Sequence, residues 1–245
     1  MNKPTVPVSD PRMNQLLRAL PDSEWGRWSP YLESVDLSLG QVLSESGRTP
    51  AYVYFPTTAV VSLLYLTEDG ASSEIAVVGN DGVVGISLFM GGNTMPSQAT
   101  VQSAGQGYRL RAQQVTSEVE RAGVVLQMLL RYTQALMDQV AHTAACNRYH
   151  SIDQLLCRRL MMGLERQRSN ALVMTQELLA SLLGVRREGV TAAALKLQQA
   201  GVIRYSRGRI DVLDRQRLAL GSGHRPHAAA QEYQARAPAP MALAA

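Results

Sequence analysis

The sequence predicts an α+β protein in which a β-rich domain is followed by a long helix and by a small domain of helices and one β-hairpin. Short apolar runs separated by turn residues fill residues 34–115, an uninterrupted helical pattern follows, and the charge changes sign along the chain. Residues 1–147 hold 9 Lys and Arg against 13 Asp and Glu, whereas residues 148–217 hold 13 against 6. A basic second domain favours a polyanionic partner, the alternative being a solvated Arg-rich surface.

Length and composition favour a globular protein over a membrane, secreted or metal-binding one. With 245 residues, of which 46% are hydrophobic, the chain can form one large or two small domains with a proper core. No apolar run reaches the ~18 residues of a membrane span, and the N-terminus lacks the apolar centre of a secretory signal, so we expect a cytoplasmic protein with no membrane partner. Cys146 and Cys157 fit a reducing compartment and have no metal-ligand spacing, so neither a metal nor a cofactor is expected.

The predicted β-domain covers residues 12–116. A Pro-rich N-terminal stretch is expected to be loose, and short helices broken at Pro21 precede the strands. The runs VDLSL, AYVYF, AVVSLLYL, SEIAVV and YRLR are then separated by turn residues. This pattern is typical of an antiparallel sandwich or barrel, and Asp69-Gly70 predicts a hairpin between two of the runs.

A long helix is predicted over residues 117–147, because the sequence from Val125 to Ala145 contains no Gly or Pro. Side chains at alternating spacings of three and four predict a coiled-coil seam of about three heptads. The alternative is a helix buried entirely on its own sheet. The predicted dimerisation residues are Leu126, Leu129, Thr133, Leu136 and Val140, and Thr143 continues the seam. A second face, expected to pack on the β-domain, comprises Val125, Met128, Tyr132 and Met137.

Residues 148–219 predict two short helices joined by a tight turn, after a first helix over about 151–166. Thr175 is a plausible N-cap for the first helix of the pair. Gly184 stands where a tight turn requires a small residue or a positive φ, and Arg186 precedes the charged start of the second helix. Two short helices joined in this way form a helix-turn-helix pattern.

A wing and a tail complete the predicted domain organisation. Gly201 ends the second helix, and the segment AGVIRYSRGRIDVLD then reads as a strand, a tight turn and another strand. Residues 220–245 are low in large apolar groups and are predicted to be a disordered tail.

The chemistry of this domain suits double-stranded DNA. The second helix of a helix-turn-helix places its first turns in the major groove, where Arg187 can donate two hydrogen bonds to guanine and Glu188 can accept from cytosine. Neighbouring polar groups are expected to contact phosphates, which position the protein without reading sequence. The alternatives are ordinary helical packing and a protein-interaction module. The complete candidate interface is Thr175, Gln176, Arg186, Arg187, Glu188, Thr191, Ser206, Arg207 and Arg209.

The order of these parts resembles the Crp/Fnr family of bacterial transcription regulators over roughly Leu16 to Leu218. The segment MTQELLASLLGVRREGVTAAALKLQQAGVI is similar to the family's helix-turn-helix signature, with Arg187 and Glu188 on its base-reading pair. The resemblance implies an N-terminal antiparallel jelly roll of the cyclic-nucleotide-binding type, a dimerisation helix and a C-terminal winged helix-turn-helix. It also implies a homodimer on inverted-repeat DNA, with RNA polymerase as a further candidate partner.

Two positions depart from the family's signature. Arg186 stands where the turn usually continues with Ser or another small cap, and Ala192 replaces a second basic reader.

The same resemblance identifies residues 81–101 as the stretch that holds the nucleotide in cyclic-AMP-binding members. Those members use a Glu for the ribose hydroxyl and an Arg for the cyclic phosphate, and this chain has neither at the matching positions. Since the phosphate would lose its charge-assisted hydrogen bonds, a response to cyclic AMP is not expected and the effector is unknown. The residues of this degenerate effector pocket are Gly85, Ile86, Ser87, Ser97, Gln98 and Ala99.

Other sensing and catalytic chemistries lack the residues they need. Two Cys cannot provide the four ligands of an iron–sulfur cluster, and the predicted β-domain contains no His for a haem or for a cupin-like metal enzyme. We therefore expect no enzyme. The sequence leaves three hypotheses: a DNA-binding regulator, a regulator switched by oxidation of Cys146 or Cys157, and a scaffold whose winged helix binds another protein.

Overall fold

The computed structural model describes residues 8–68, 71–92, 94–167 and 170–222, without the side chains of 165–167. The described part forms two compact units. The first unit contains the described residues up to Leu63 together with Val77–Gln134, and the second contains Leu64–Ala76 together with the described residues from Ala135 onward. Outside the described residues lie the predicted turn Asp69-Gly70, the N-terminal residues 1–7 and residues 223–245 of the predicted tail.

Helices occur in both units. They are α1 (Gln15–Arg18), α2 (Asp22–Trp28), α3 (Ala112–Arg121), α4 (Val124–Tyr149), α5 (Ile152–Gln167), α6 (Gln176–Leu183), α7 (Arg187–Gln199) and α8 (Arg215–Gly221). Short 3-10 turns occur at Pro11–Met13, Ser29–Tyr31 and Ile86–Leu88. Pro21, the predicted break, is the N-cap residue of α2.

The strands confirm the α+β prediction, with an N-terminal antiparallel β-domain and a separate C-terminal hairpin. They are β1 (Glu33–Leu37), β2 (Val42–Ser44), β3 (Tyr52–Pro56), β4 (Val60–Leu66), β5 (Ser72–Val78), β6 (Ser97–Ser103), β7 (Gly105–Arg111), β8 (Ala171–Val173), β9 (Ile203–Ser206) and β10 (Arg209–Val212). Two sheets, ordered β1-β7-β3 and β2-β6-β4-β5, make up the N-terminal β-structure, and a third sheet has the order β8-β10-β9.

The core of the first unit combines aromatic and aliphatic side chains from both sheets and from the N-terminal helices. Trp28 meets Phe55 edge to face with ring centroids 5.9 Å apart, and both are fully enclosed. Asn14 is also buried, but its polar groups are satisfied. Its side-chain oxygen accepts from the first backbone amides of α1, and its amide nitrogen donates to the carbonyls of Pro56 and Gly82, each at 2.9 Å.

Helix α4 has one broad buried face instead of the two separate faces expected from its sequence. Of the predicted dimerisation residues, Leu129, Thr133 and Leu136 are buried within the chain itself, whereas Leu126 and Val140 are half-buried. The assignment of Leu129, Thr133 and Leu136 to a partner-facing seam is therefore wrong.

The error has a simple geometric cause. At about 100° per residue, the predicted seam lies directly beside Val125, Met128 and Tyr132, so the two stripes form a single face. Met137, which we assigned to the inner face, is 62% exposed, and Leu130 is 47% exposed. The apolar surface that α4 leaves free is thus centred on Leu130 and Met137.

The core of the second unit packs α5, α6, α7, α8 and the end of α4 around the small sheet. Its fully buried members include Leu160, Leu164, Leu172 and Val190. Helix α7 approaches α5 closely at Gly189, where an added Cβ would lie 2.7 Å from the Ile152 Cδ1 atom. A side chain at this position would displace α7 or force Ile152 to move.

The second unit also contains a buried ion pair. The carboxylate of Glu74 on β5 lies 3.2 Å from the guanidinium of Arg159 on α5, and the two side chains are only 8% and 3% exposed. Nearby, the hydroxyl oxygens of Ser72 and Ser181 are 2.5 Å apart. Within this unit, the ion pair attaches β5 to α5, and the hydroxyl pair attaches it to α6.

We predict that Glu74→Gln destabilises the protein strongly. The substitution keeps the side-chain volume but removes the negative charge that faces a buried guanidinium, a change that typically costs about 3–5 kcal/mol. In a protein of this size, about 1 kcal/mol shifts the melting temperature by roughly 2–4 °C, so thermal or urea unfolding will resolve the effect.

The control is Lys196→Gln, which removes the exposed ion pair between Lys196 and Asp153, 2.8 Å apart. We expect this variant to change stability by less than about 1 kcal/mol because the pair is solvated. Equal effects of the two variants would contradict the assigned importance of the buried pair.

Candidate nucleic-acid interface

Helix α6 begins at a side-chain cap, as the sequence predicts. Thr175 has extended backbone angles, and its hydroxyl oxygen accepts a hydrogen bond from the backbone amide of Leu178 at 3.1 Å. Leu179 and Leu182 then turn into the core. The cap confirms the predicted start of the helix and places the polar side chain of Gln176 in its first turn.

The turn between α6 and α7 depends on Gly184. Its φ of 63° lies in the left-handed region, and the amides of Gly184 and Val185 donate to the carbonyls of Ser181 and Ala180, at 3.3 and 3.1 Å. A Cβ at this position would also lie 3.1 Å from the Ser73 hydroxyl oxygen. Backbone conformation and close packing both require glycine here, as predicted from the sequence.

Helix α7 begins without a side-chain cap. Arg186 occupies the N-cap position with φ −71° and ψ 144°, but its side chain makes no capping hydrogen bond. The guanidinium is exposed, so the departure from a small capping residue leaves a cation beside the first turn of α7. The helix loses a local hydrogen bond and gains a group able to contact a phosphate.

The predicted base-reading residues share the exposed face of α7. Val190, Ala193 and Ala194 are buried on the opposite face, which leaves Arg187 and Glu188 in solvent. Thr191, exposed one turn after Arg187, joins the part of the candidate site on α6 to the part on α7. Its hydroxyl lies 2.9 Å from the side-chain oxygen of Gln176 and 3.0 Å from the carbonyl of Arg187, and this network ties α6 to α7.

Tyr205 connects the hairpin to the segment before α6 and to the last turn of α7. Its hydroxyl donates to the carbonyl of Met174 at 2.8 Å, and its backbone amide donates to the side chain of Gln198. Burial raises the pKa of Tyr205, and the charge of Arg187 opposes that rise. Sequence reasoning missed Tyr205, since a single tyrosine on a short strand gives no signal of this contact.

The wing is a two-residue hairpin between β9 and β10. Ser206 pairs with Arg209, and the two residues between them, Arg207 and Gly208, have φ values of 48° and 78°. Positive φ at both central positions is the conformation of a type I′ turn, in which an arginine is unusual. The turn places the exposed Arg207 at the tip of the wing.

The basic side chains of the wing differ in whether a carboxylate within the domain already binds them. The guanidinium of Arg209 is bound to the Asp211 carboxylate through contacts of 2.9 and 3.0 Å, whereas Ser206 and Arg207 are exposed at the tip. Arg204 is also exposed and lies opposite Asp211 in the register of the hairpin. Sequence reasoning missed Arg204, although its position two residues before Ser206 places it on the same face of β9.

The geometry of this domain has a counterpart among known proteins. Residues 154–220 match the model of the Crp-like helix-turn-helix domain. The chain carries a Crp-like helix-turn-helix domain. The match begins within α5 and extends through the wing to α8, so it includes every residue of the candidate interface. No curated protein matches the chain.

Solved structures share the fold of most of the chain. A protein of the Crp/Fnr family from Eubacterium rectale is 17% identical with a TM-score of 0.67, covering 87% of this chain and 100% of its own. FixK2 from Bradyrhizobium japonicum is 16% identical with a TM-score of 0.67 and coverages of 79% and 98%. A CRP-family transcriptional regulator from Thermus thermophilus is 18% identical with a TM-score of 0.65 and coverages of 78% and 97%. The predicted resemblance to Crp/Fnr regulators is confirmed for the fold and for its Crp-like domain.

The candidate effector segments lie in the first unit and are largely enclosed. Gly85 has a φ of 104° and precedes the 3-10 turn, with Ile86 and Ser87 buried behind it. On β6, Ser97 and Ala99 are buried as well. Gln98 is half-buried, and its amide donates to the Glu45 carboxylate at 2.7 Å. None of these six positions carries a cation for a cyclic phosphate.

Both cysteines of the chain are buried. Burial raises the pKa of Cys157 to about 11, assisted by the charge of Asp153, and burial also raises the pKa of Cys146. A raised pKa keeps a thiol protonated at neutral pH, which disfavours reaction with oxidants. The charge of Arg158 opposes the rise at Cys146, but the net direction at both thiols disfavours a redox switch.

Within the described residues, no group of three or more His, Cys, Asp and Glu side chains is arranged to hold a metal ion. Among these residues, too, no helix is both long and apolar enough to cross a membrane.

We predict that Arg186→Ser stabilises the protein. A serine at this N-cap position can accept a hydrogen bond from the first turn of α7, which typically contributes about 0.5–2 kcal/mol. Thermal unfolding should show a rise of a few degrees. Arg186→Ala is the matched control, because it removes the same guanidinium without supplying a cap. A rise of equal size in both variants would mean that loss of charge, and not capping, is responsible.

Proposed function

We propose that the protein is a sequence-specific DNA-binding transcription regulator. The observation that carries this proposal is the exposed face of α7, on which Arg187, Glu188 and Thr191 stand beside a basic wing. An arginine at the start of a recognition helix can bind guanine through two hydrogen bonds, and a glutamate can accept from cytosine. Arg186 and Arg207 are suited to phosphates on either side.

The regulator is proposed to act as a homodimer on an inverted repeat. Two copies related by a two-fold axis would present two α7 helices to half-sites about one DNA turn apart. The proposed interface is the free surface of α4, here called the outer seam and defined by Leu130, Gln134, Met137, Ala141 and Ala144. Leu130, Met137 and Ala144 recur every seven residues, and Gln134 and Ala141 alternate with them, which is coiled-coil spacing on a face exposed in the single chain.

Cyclic AMP is not the proposed effector. A cyclic phosphate requires a cation or several hydrogen-bond donors, and the segments around Ser87 and Gln98 offer no arginine. An effector of different chemistry would still have to bind one conformation of the regulator better than another in order to change its DNA affinity.

Selection of bound fragments from random DNA, followed by mapping of bound sites across the genome, tests the proposed function. Recovery of an inverted repeat would support it. Binding that is uniform across sequences, or absent, would refute it. A scaffold that binds protein through its winged helix would not show the steep fall of DNA affinity with salt that phosphate contacts produce.

We predict that Arg187→Ala weakens binding to the selected operator by about 1–3 kcal/mol and relaxes the preference at one base pair of each half-site. The control is Arg207→Ala, which should weaken binding to all sequences equally and lower the salt slope by about one. Gel-shift titrations at several salt concentrations, with operator and mutated operators, distinguish the two. A uniform loss for Arg187→Ala would make Arg187 a phosphate contact.

We also predict that Met137→Lys dissociates the dimer. On a two-fold seam, the substitution would bring two like charges together in an apolar layer, and we expect the dimer dissociation constant to rise at least about tenfold, or 1.4 kcal/mol. Analytical ultracentrifugation measures the constant. Met90→Lys is the matched control, because Met90 is similarly exposed but lies outside α4. An unchanged dimer in Met137→Lys would exclude the outer seam.

A further inference from the structure

The centre of the exposed face of α7 is apolar. Leu195 is 51% exposed, although the leucine-rich core of the domain lies on the other side of the helix. Seven residues separate Leu195 from Glu188, so the two side chains point in directions only about 20° apart around the helix axis. Leu195 therefore lies on the line that runs through the proposed base-reading residues, almost opposite the buried Val190 and Ala193.

Two of the polar side chains near Leu195 are engaged inside the domain. The ammonium of Lys196 lies 2.8 Å from the Asp153 carboxylate on α5. The hydroxyl of Thr191 is within hydrogen-bond distance of Gln176 and of the Arg187 carbonyl. Ala192 is exposed and has only a methyl group to offer. Beyond its first turn, the outward face of α7 thus presents two aliphatic side chains, Ala192 and Leu195, with the exposed Gln199 one turn further on.

In the major groove of DNA, an aliphatic side chain can recognise one base by apolar contact, namely thymine. Thymine carries a C5-methyl group there, and contact with alanine, threonine methyl or larger apolar side chains distinguishes thymine from the other bases. The distance along α7 from Glu188 to Leu195 is about 10 Å, which corresponds to roughly three base-pair steps. The aliphatic part of the face can therefore meet base pairs different from those that Arg187 and Glu188 read.

We propose that Ala192 and Leu195 read thymine methyl groups. This inference rests on the proposed function and makes it more specific: each half-site combines a base pair recognised by Arg187 with one or two thymines recognised by apolar contact. Buried apolar surface, and not hydrogen bonding, then supplies the discrimination at those thymines.

The test uses the full-length protein and its selected operator, in which each thymine is replaced in turn by deoxyuridine. This replacement removes only the C5-methyl group and keeps base pairing. We expect a roughly three- to five-fold loss of affinity at one or two thymines per half-site, the fold-change expected for burial of one methyl group. Leu195→Ala should bind the unmodified operator more weakly and should no longer respond to deoxyuridine at its position.

Two further variants make the result specific to this face. Leu213→Ala removes a leucine of nearly equal exposure, 53%, outside α7, and it should keep the full response to deoxyuridine. Ala192→Arg should shift the preferred base at one position from thymine to guanine, since arginine seeks the guanine edge.

The outcomes separate the two levels of the proposal. If no sequence is selected at all, the proposed function fails. If an operator is selected but deoxyuridine has no effect, or an equal effect in the wild type and in Leu195→Ala, only the assignment of thymine is overturned. A Leu195→Ala variant that binds DNA normally but loses a co-purifying protein would overturn it too, and would make this face a protein-binding surface.

Discussion

The close approach of α7 to α5 decides which side chains of α7 reach solvent. At Gly189 the two helices come near enough that a Cβ would lie 2.7 Å from Ile152, and Val190 is completely buried beside this contact. With these positions fixed, the helical repeat places Glu188, Thr191 and Leu195 outward. The proposed specificity therefore depends on an apolar contact on the far side of the helix, because a rotation of α7 by one residue, about 100°, would bring a different set of side chains to the surface.

The second unit contains two kinds of arginine: those paired with a carboxylate of the same unit, and exposed ones that could contact a DNA phosphate. Arg159 is buried with Glu74, and Arg209 is bound to Asp211, so neither guanidinium is free to reach a phosphate without losing a carboxylate. Arg186 and Arg207 are exposed at the two edges of the proposed interface. The net positive charge of residues 148–217 thus overstates the charge that the proposed DNA partner could contact, and position decides which arginines would contribute.

Local features of the fold were predictable from the sequence, whereas long-range packing was not. Gly184 and Thr175 were correctly predicted because a left-handed turn and an N-cap depend on a few adjacent residues. The seam of α4 was predicted wrongly, because spacings of three and four describe any buried helical stripe and do not say whether the sheet or a second chain covers it. The ion pair between Glu74 and Arg159 could not be predicted, since 85 positions separate its members in the sequence. Of the candidate interface, the base-reading pair and the wing tip were assigned by local pattern, while the contacts of Tyr205 and the pairing of Arg209 required the fold.

The proposed reading face also constrains how binding energy would be supplied. Each monomer offers one strong hydrogen-bonding pair, Arg187 and Glu188, and then aliphatic contacts at Ala192 and Leu195, which contribute less per group than a bidentate arginine. The engagement of Arg209 by Asp211 further reduces the phosphate contacts of the wing. A single half-site would then bind weakly, and useful affinity would require both half-sites at once, because the second contact benefits from a high effective concentration. In this arrangement the outer seam of α4 would control DNA affinity as strongly as the reading residues do.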